Sequence, residues 1–138
     1  MRWPLLGHIG QHRRVLELQG EGAPSRTARR LALEVAAEAG VDSRLDDFAI
    51  VVSELVMNAV DHGAVPIRLV LSAGGCLFVS VADAAGGEPV LLPASATRSR
   101  GRGLALVEDL SDRWGIVPLN FGKVVWAEID HETTDGSS

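Results

Sequence analysis

The chain has 138 residues, 46% of them hydrophobic, and a net charge of −5. That length and composition suit one globular domain with its own core and exclude a disordered polymer, while the acidic balance argues against direct nucleic-acid binding by the domain as a whole. No apolar run is long enough to span a bilayer, and the opening MRWPLLGHIGQHRR lacks a signal peptide's apolar centre and cleavage site, so a cytoplasmic protein without membrane contact is expected.

Residues 1–12 read as a poorly ordered lead-in and residues 131–138 as a polar tail, which leaves 13–130 as the folded domain. The charge is uneven: residues 1–30 hold six Arg against two Glu, and twelve of the thirteen basic residues are Arg. Arginine suits phosphate and carboxylate recognition, but codon composition is the better explanation of so general a bias.

In chain order, RRVLEL (13–18) alternates as an edge strand does. After the loop QGEGAP, Ser25 is placed to cap a helix SRTARRLALEVAAEA, closed by Gly40, in which Leu31, Val35 and Ala39 recur at helical spacing. Arg26, Arg29 and Arg30 gather near its start; they offer a docking surface to acidic partners, and equally a solvated face. VDSRLDD opens a second helix, with Ser43 or Asp42 as cap, that runs to His62 and stops at Gly63. The period then changes to that of strands. PIRLVLSA and CLFVSVAD are separated by the hairpin signal Gly74-Gly75, and the single Cys76 reads as a buried strand residue. Residues 84–100 form a long loop rich in Gly, Pro and Ala, of the kind that is functional or disordered. A short helix GRGLALVEDL begins near Gly103, and WGIVPL and KVVWAEI make a second hairpin around Asn120-Phe121-Gly122. The order β-α-α-β-β-loop-α-β-β predicts a two-layer α/β sandwich: a mixed, mainly antiparallel sheet with helices on one face.

Three stretches carry groups able to do chemistry. In SELVMNAVDHGA (53–64), Glu54 and Asn58 are one helical turn apart inside an apolar run, with Asp47 and Asp61 close to the same face. Burying a carboxylate and an amide together is costly without a partner. An amide oxygen beside a carboxylate suits a hard cation that takes its other ligands from water and phosphate, as Mg²⁺ does; on this helix alone a solvated polar stripe is the simpler reading. Asp83 ends a strand and leads into Ala84-Ala85-Gly86-Gly87, where it either accepts from a base amino group or starts a turn. In SRGRGLALV, Gly101 and Gly103 precede a helix whose N-terminus favours a phosphate; a flexible loop entering a helix explains them as well.

Taken in this order, ELVMNAVDHG, VADAAGG and GRGLALV resemble the N, G1 and G2 boxes of the gyrase, heat-shock chaperone and histidine-kinase ATP-binding superfamily. The resemblance covers residues 13–130 and is nearest to the small stand-alone bacterial anti-sigma-factor serine kinases. It implies the histidine kinase-like ATPase fold, ATP and Mg²⁺ as cofactors, and a regulatory serine/threonine kinase. Carried over position by position, it implies that Glu54 is the general base, Asn58 the Mg²⁺ ligand and Asp83 the reader of adenine. Gly87, Gly101, Arg102, Gly103 and Leu104 would contact the nucleotide. The guanidinium groups of Arg98, Arg100 and Arg102 suit triphosphate oxygens, although such a run is more often a solvated loop. His62 fits the motif without a catalytic role. The partners implied are a sigma factor and an anti-sigma-factor antagonist, and a homodimer is compatible with the family.

Two positions depart from the pattern. Ala85 stands where the family carries a glycine, and Lys123-Val124-Val125 follows Gly122 where a threonine is expected near the adenine. These departures leave a second reading open, a partner-binding module with weak or lost nucleotide binding. A detached histidine-kinase domain acting in trans is a third; no long heptad segment carrying a phosphoacceptor histidine stands in the sequence, which argues against the expectation of a complete histidine kinase.

Overall fold

The structure is a computed structural model, and it describes residues 12–19, 22–62, 66–83, 99–119 and 122–132, with backbone alone for residues 62 and 99–103. The elements run β1 (His12–Leu18), α1 (Pro24–Glu38), α2 (Leu45–His62), β2 (Ile67–Ala73), β3 (Leu77–Asp83), α3 (Ser99–Leu110), β4 (Arg113–Leu119) and β5 (Gly122–Ile129). This is the order expected from the change of period along the chain. The five strands form one sheet, β1-β2-β3-β5-β4, in which every pairing is antiparallel, so the expected parallel component is absent among the described residues. β1 is an edge strand, as its alternation suggests; β5 folds back from β4 to fill the place beside β3.

The side-chain period of two sorts the sheet into faces. Leu69, Leu71, Val79, Val81, Val125 and Ala127 point to one side and share a core with Ala32 and Val35 of α1, Phe48, Val52 and Leu55 of α2, and Leu104 and Val107 of α3. All three helices therefore cover the same face, the layer arrangement that lets each bury one stripe. α2 lies between the others and packs against both.

Several local readings change. α1 begins at Pro24, with Ala23 at the cap position and no side-chain cap, so Ser25 lies inside the first turn. Proline suits that position because its missing N–H would be unpaired there anyway. The exit is as expected: Gly40 has φ +74°, and the N–H of Val41 donates to Ala36 at 2.9 Å. α2 is entered through neither Asp42 nor Ser43 but through Arg44, whose φ of 63° is left-handed. Cys76 is buried as expected, but in the β2–β3 turn, just before the strand. α3 starts at Ser99, four residues before Gly103, so both Gly101 and Gly103 are helical.

Candidate functional site

On the α2 wheel the buried residues Phe48, Val52, Leu55 and Ala59 mark the side facing the sheet. Ser53 falls on one flank, where the Arg29 Nη1 of α1 donates to its Oγ at 3.0 Å. Glu54 and Asn58 fall on the opposite flank, the side on which α3 packs. Asn58 is buried at 8% exposure, and Glu54 is partly buried one turn away. The sequence places an amide and a carboxylate on this flank because the helix needs only one apolar stripe to hold it on the sheet.

Asp47 and Asp61, on the same flank, have other engagements. Asp47 Oδ2 accepts from Arg44 Nε at 2.9 Å, a bond that secures the entry to α2. Asp61 is exposed and also has a partner. The Arg26, Arg29 and Arg30 cluster is likewise divided: Arg29 is turned onto Ser53, while Arg30 is exposed and 3.8 Å from Glu34.

Asp83 closes β3 on the helical face and is buried. Directly across, in register on β5, is Lys123, and its Nζ donates to Asp83 Oδ2 at 2.8 Å with both side chains buried. Of the three residues after Gly122, Lys123 is therefore the one that takes the place beside the expected base-reading carboxylate. Val124, next in the strand, points to the opposite face. Gly122 itself has φ +148°, a backbone that residues with a Cβ rarely adopt.

α3 brings its first turn to the same end of the molecule's chemistry by backbone alone. The first N–H groups of an α-helix have no intrahelical acceptor; within the described helix they are those of residues 99–101, which include Gly101. Of the expected nucleotide contacts, the earlier helix start leaves only the Gly101 amide outside the intrahelical ladder, while those of Arg102, Gly103 and Leu104 fall within it. Leu104 is buried at 2% exposure and anchors that turn in the core. The side chains of Arg100 and Arg102, and Gly87, Ala85 and Arg98 altogether, lie outside the described residues.

Among the described residues no group of three or more His, Cys, Asp or Glu is arranged to hold a metal by itself. A hard cation bound at Asn58 would therefore need further oxygen ligands from outside the protein, and the donor set fits a Mg²⁺ delivered with phosphates. Among the described residues two cavities lie beside the two ends of α2. One of about 220 Å³ lies between the start of α1 and Met57, Val60 and Asp61; the other, about 420 Å³, is lined by Asp42, Arg44, Leu45, Asp46 and Asp47. Neither is lined by Glu54, Asn58 or Asp83. Sequence reasoning missed Lys123 as a functional candidate, and its one signal was being the only lysine in an arginine-rich chain.

A family model for the histidine kinase-like ATPase domain matches residues 21–129. The crystal structure of the RsbU and RsbW domains of Rv1364c from Mycobacterium tuberculosis is similar with a TM-score of 0.66, over 86% of this chain and 32% of that one. At 24% identity this likeness is one of fold. The DNA mismatch repair protein MutL of Leuconostoc citreum (strain KM20) is 40% identical over 74 residues, which is 53% of this chain but only 11% of MutL. No described helix is long and apolar enough to cross a membrane.

Proposed function

Because the chain belongs to the histidine kinase-like ATPase domain family, we propose that it is an ATP- and Mg²⁺-binding regulatory protein kinase of the anti-sigma type. It phosphorylates a serine or threonine of an antagonist protein and, through that exchange, controls a sigma factor. The observation that carries this reading is the pairing of buried Asn58 with partly buried Glu54 on the α3 side of α2.

The roles divide by chemistry. The Asn58 amide oxygen is a neutral, hard ligand that holds one position of Mg²⁺ and leaves the rest to water and phosphate. The unpaired N–H groups of the first turn of α3 face phosphate oxygens, where the helix dipole favours negative charge. Glu54 takes the proton of the incoming hydroxyl. Bound Mg–ATP supplies the phosphoryl group, and positioning with charge neutralisation provides most of the acceleration. The domain acts in the cytoplasm and needs no nucleic acid.

The test is transfer of label from ATP to a candidate antagonist protein, for wild type and Glu54→Gln. Acid-stable phosphate on serine or threonine in the wild type, lost in Glu54→Gln with ATP binding retained, is expected. Unchanged transfer in the variant would refute the base; acid-labile phosphate would favour a histidine-kinase chemistry. A second reading, a partner-binding module with weak nucleotide binding, is favoured by one observation, the ion pair that occupies Asp83. It predicts partner binding with no transfer.

A further inference from the structure

We propose that residues 1–11, MRWPLLGHIGQ, dock across the sheet face opposite the helices and cover the patch around Phe78, at the end where β2 turns into β3. This inference does not depend on the nucleotide reading.

The three helices cover one face of the sheet, and the core they share with it holds Leu77, Val79 and Val81 of β3. Alternation puts Phe78, Ser80 and Ala82 on the other face, where the register sets Phe78 between Ser72 of β2 and Glu128 of β5. Among the described residues no element packs over that face. Yet Ser72 and Phe78 are 0% exposed and Glu128 1%. Side chains stand upright on a sheet, so neighbours in the same layer shield the sides of a phenylalanine ring and leave its outer edge in water. Full burial of Phe78 requires a cover from outside the described residues.

The burial is graded along the strands. On β2 it runs from buried Ser72 through partly exposed Val70 to exposed Arg68, and on β3 from Phe78 through Ser80 at 4% to partly exposed Ala82. Val15 of the edge strand, in register with Val70, is exposed. The cover therefore comes from the end of the sheet that holds Ser72 and Phe78, not from the end that holds Asp83.

Two segments outside the described residues adjoin that end. Residues 1–11 precede His12, which pairs with Ala73, and residues 133–138 follow β5, whose Ile129 pairs with Leu77. Residues 20–21, 63–65 and 120–121 adjoin the Asp83 end, and residues 84–98 run from Asp83 to α3 in the helical layer. Composition separates the two candidates. TTDGSS has no large apolar side chain to set against Phe78, whereas residues 1–11 carry Trp3, Leu5, Leu6 and Ile9. Length agrees as well. Eleven extended residues reach about 36 Å, and β3 lies two strand spacings, about 10 Å, from β1.

The test is a nitroxide attached at Arg2→Cys in a Cys76→Ala background, read as loss of amide signal intensity in the full chain. The amide spectrum itself checks that each variant is folded. Ser72, Phe78 and Ser80 are expected to lose more intensity than α1 and α2, and Leu5→Asp with Leu6→Asp should restore them. Loss confined to β1, loss concentrated on the helices, or loss that the two aspartates leave unchanged would overturn the proposal. A mixture of spin-labelled chains with separately isotope-labelled chains reports contact between copies. Signal loss at Phe78 in that mixture would assign the cover to a second copy and overturn docking by the chain's own segment.

Discussion

The guanidinium of Arg44 donates from Nη2 to the main-chain carbonyl of Leu110 at 2.9 Å, tying the residue before α2 to the last residue of α3. The same side chain holds Asp47 through Nε and the carbonyl of Asp130 through Nη1 at 3.1 Å. Hydrogen bonding to Asp47 raises its pKa further, so its charge is constant in any practical buffer. One residue thus clamps α2, the helix carrying Glu54 and Asn58, to α3.

Arg44→Ala is expected to cost about 1–3 kcal/mol of stability, the range for charge-assisted bonds at a partly exposed site. Arg44→Gly should cost about 1 kcal/mol less than Arg44→Ala, because the left-handed backbone is unstrained for glycine. Urea melts of the two variants check this. Equal losses would show that the backbone at this position carries no strain.

Cys76 is expected to be silent toward iodoacetamide in the folded protein at neutral pH and to react on unfolding. Burial, with a smaller contribution from the charge of Glu128, pushes its thiol up to about 11 from 9.0. The folded value is raised, so the stability tied to the neutral thiol is complete below about pH 9 and falls as pH rises toward 11. The decline should be shallower in Cys76→Ala, measured by denaturant melts across that window. Rapid native labelling at pH 7 would contradict the burial.

Gly115 and Trp126 face each other across β4 and β5. A Cβ at Gly115 would stand 2.9 Å from Trp126 Nε1, closer than real Cβ contacts come, and a tight 3.1 Å from Cε2. Gly115→Ala is therefore expected to lose about 1–3 kcal/mol, with a change in tryptophan emission as the indole moves. In a Trp126→Leu background the loss should shrink, the non-additivity of two residues in contact. An equal loss in both backgrounds would place the cost elsewhere.

The element order was legible because the hydrophobic period switches cleanly, from helical spacing in 25–62 to alternation in 66–83, and turn glycines separate the strands. What misled was local. Ser25 resembles a cap, but Pro24 starts α1 better, and Gly101 and Gly103 resemble breakers although α3 runs through both. Tertiary packing of Leu104 and Val107 outweighs the intrinsic cost of two glycines in a short helix. In the site, the turn spacing of Glu54 and Asn58 is a property of one helix and could be read from the chain. The Lys123–Asp83 pair could not. Its partners are 40 residues apart and meet only because β5 inserts between β3 and β4, a pairing that no local pattern encodes.

The central claim is that the α3-facing flank of α2 binds nucleotide through a metal held by Asn58. Calorimetric titration of ATP into the full chain, with and without Mg²⁺, for wild type and Asn58→Ala with its fold checked by circular dichroism, tests it most directly. Wild type is expected to bind Mg–ATP, and binding should weaken by about tenfold or more on removing Mg²⁺ or the Asn58 amide, the two losses not adding when combined. No binding by wild type, or binding indifferent to both Mg²⁺ and Asn58, would contradict it.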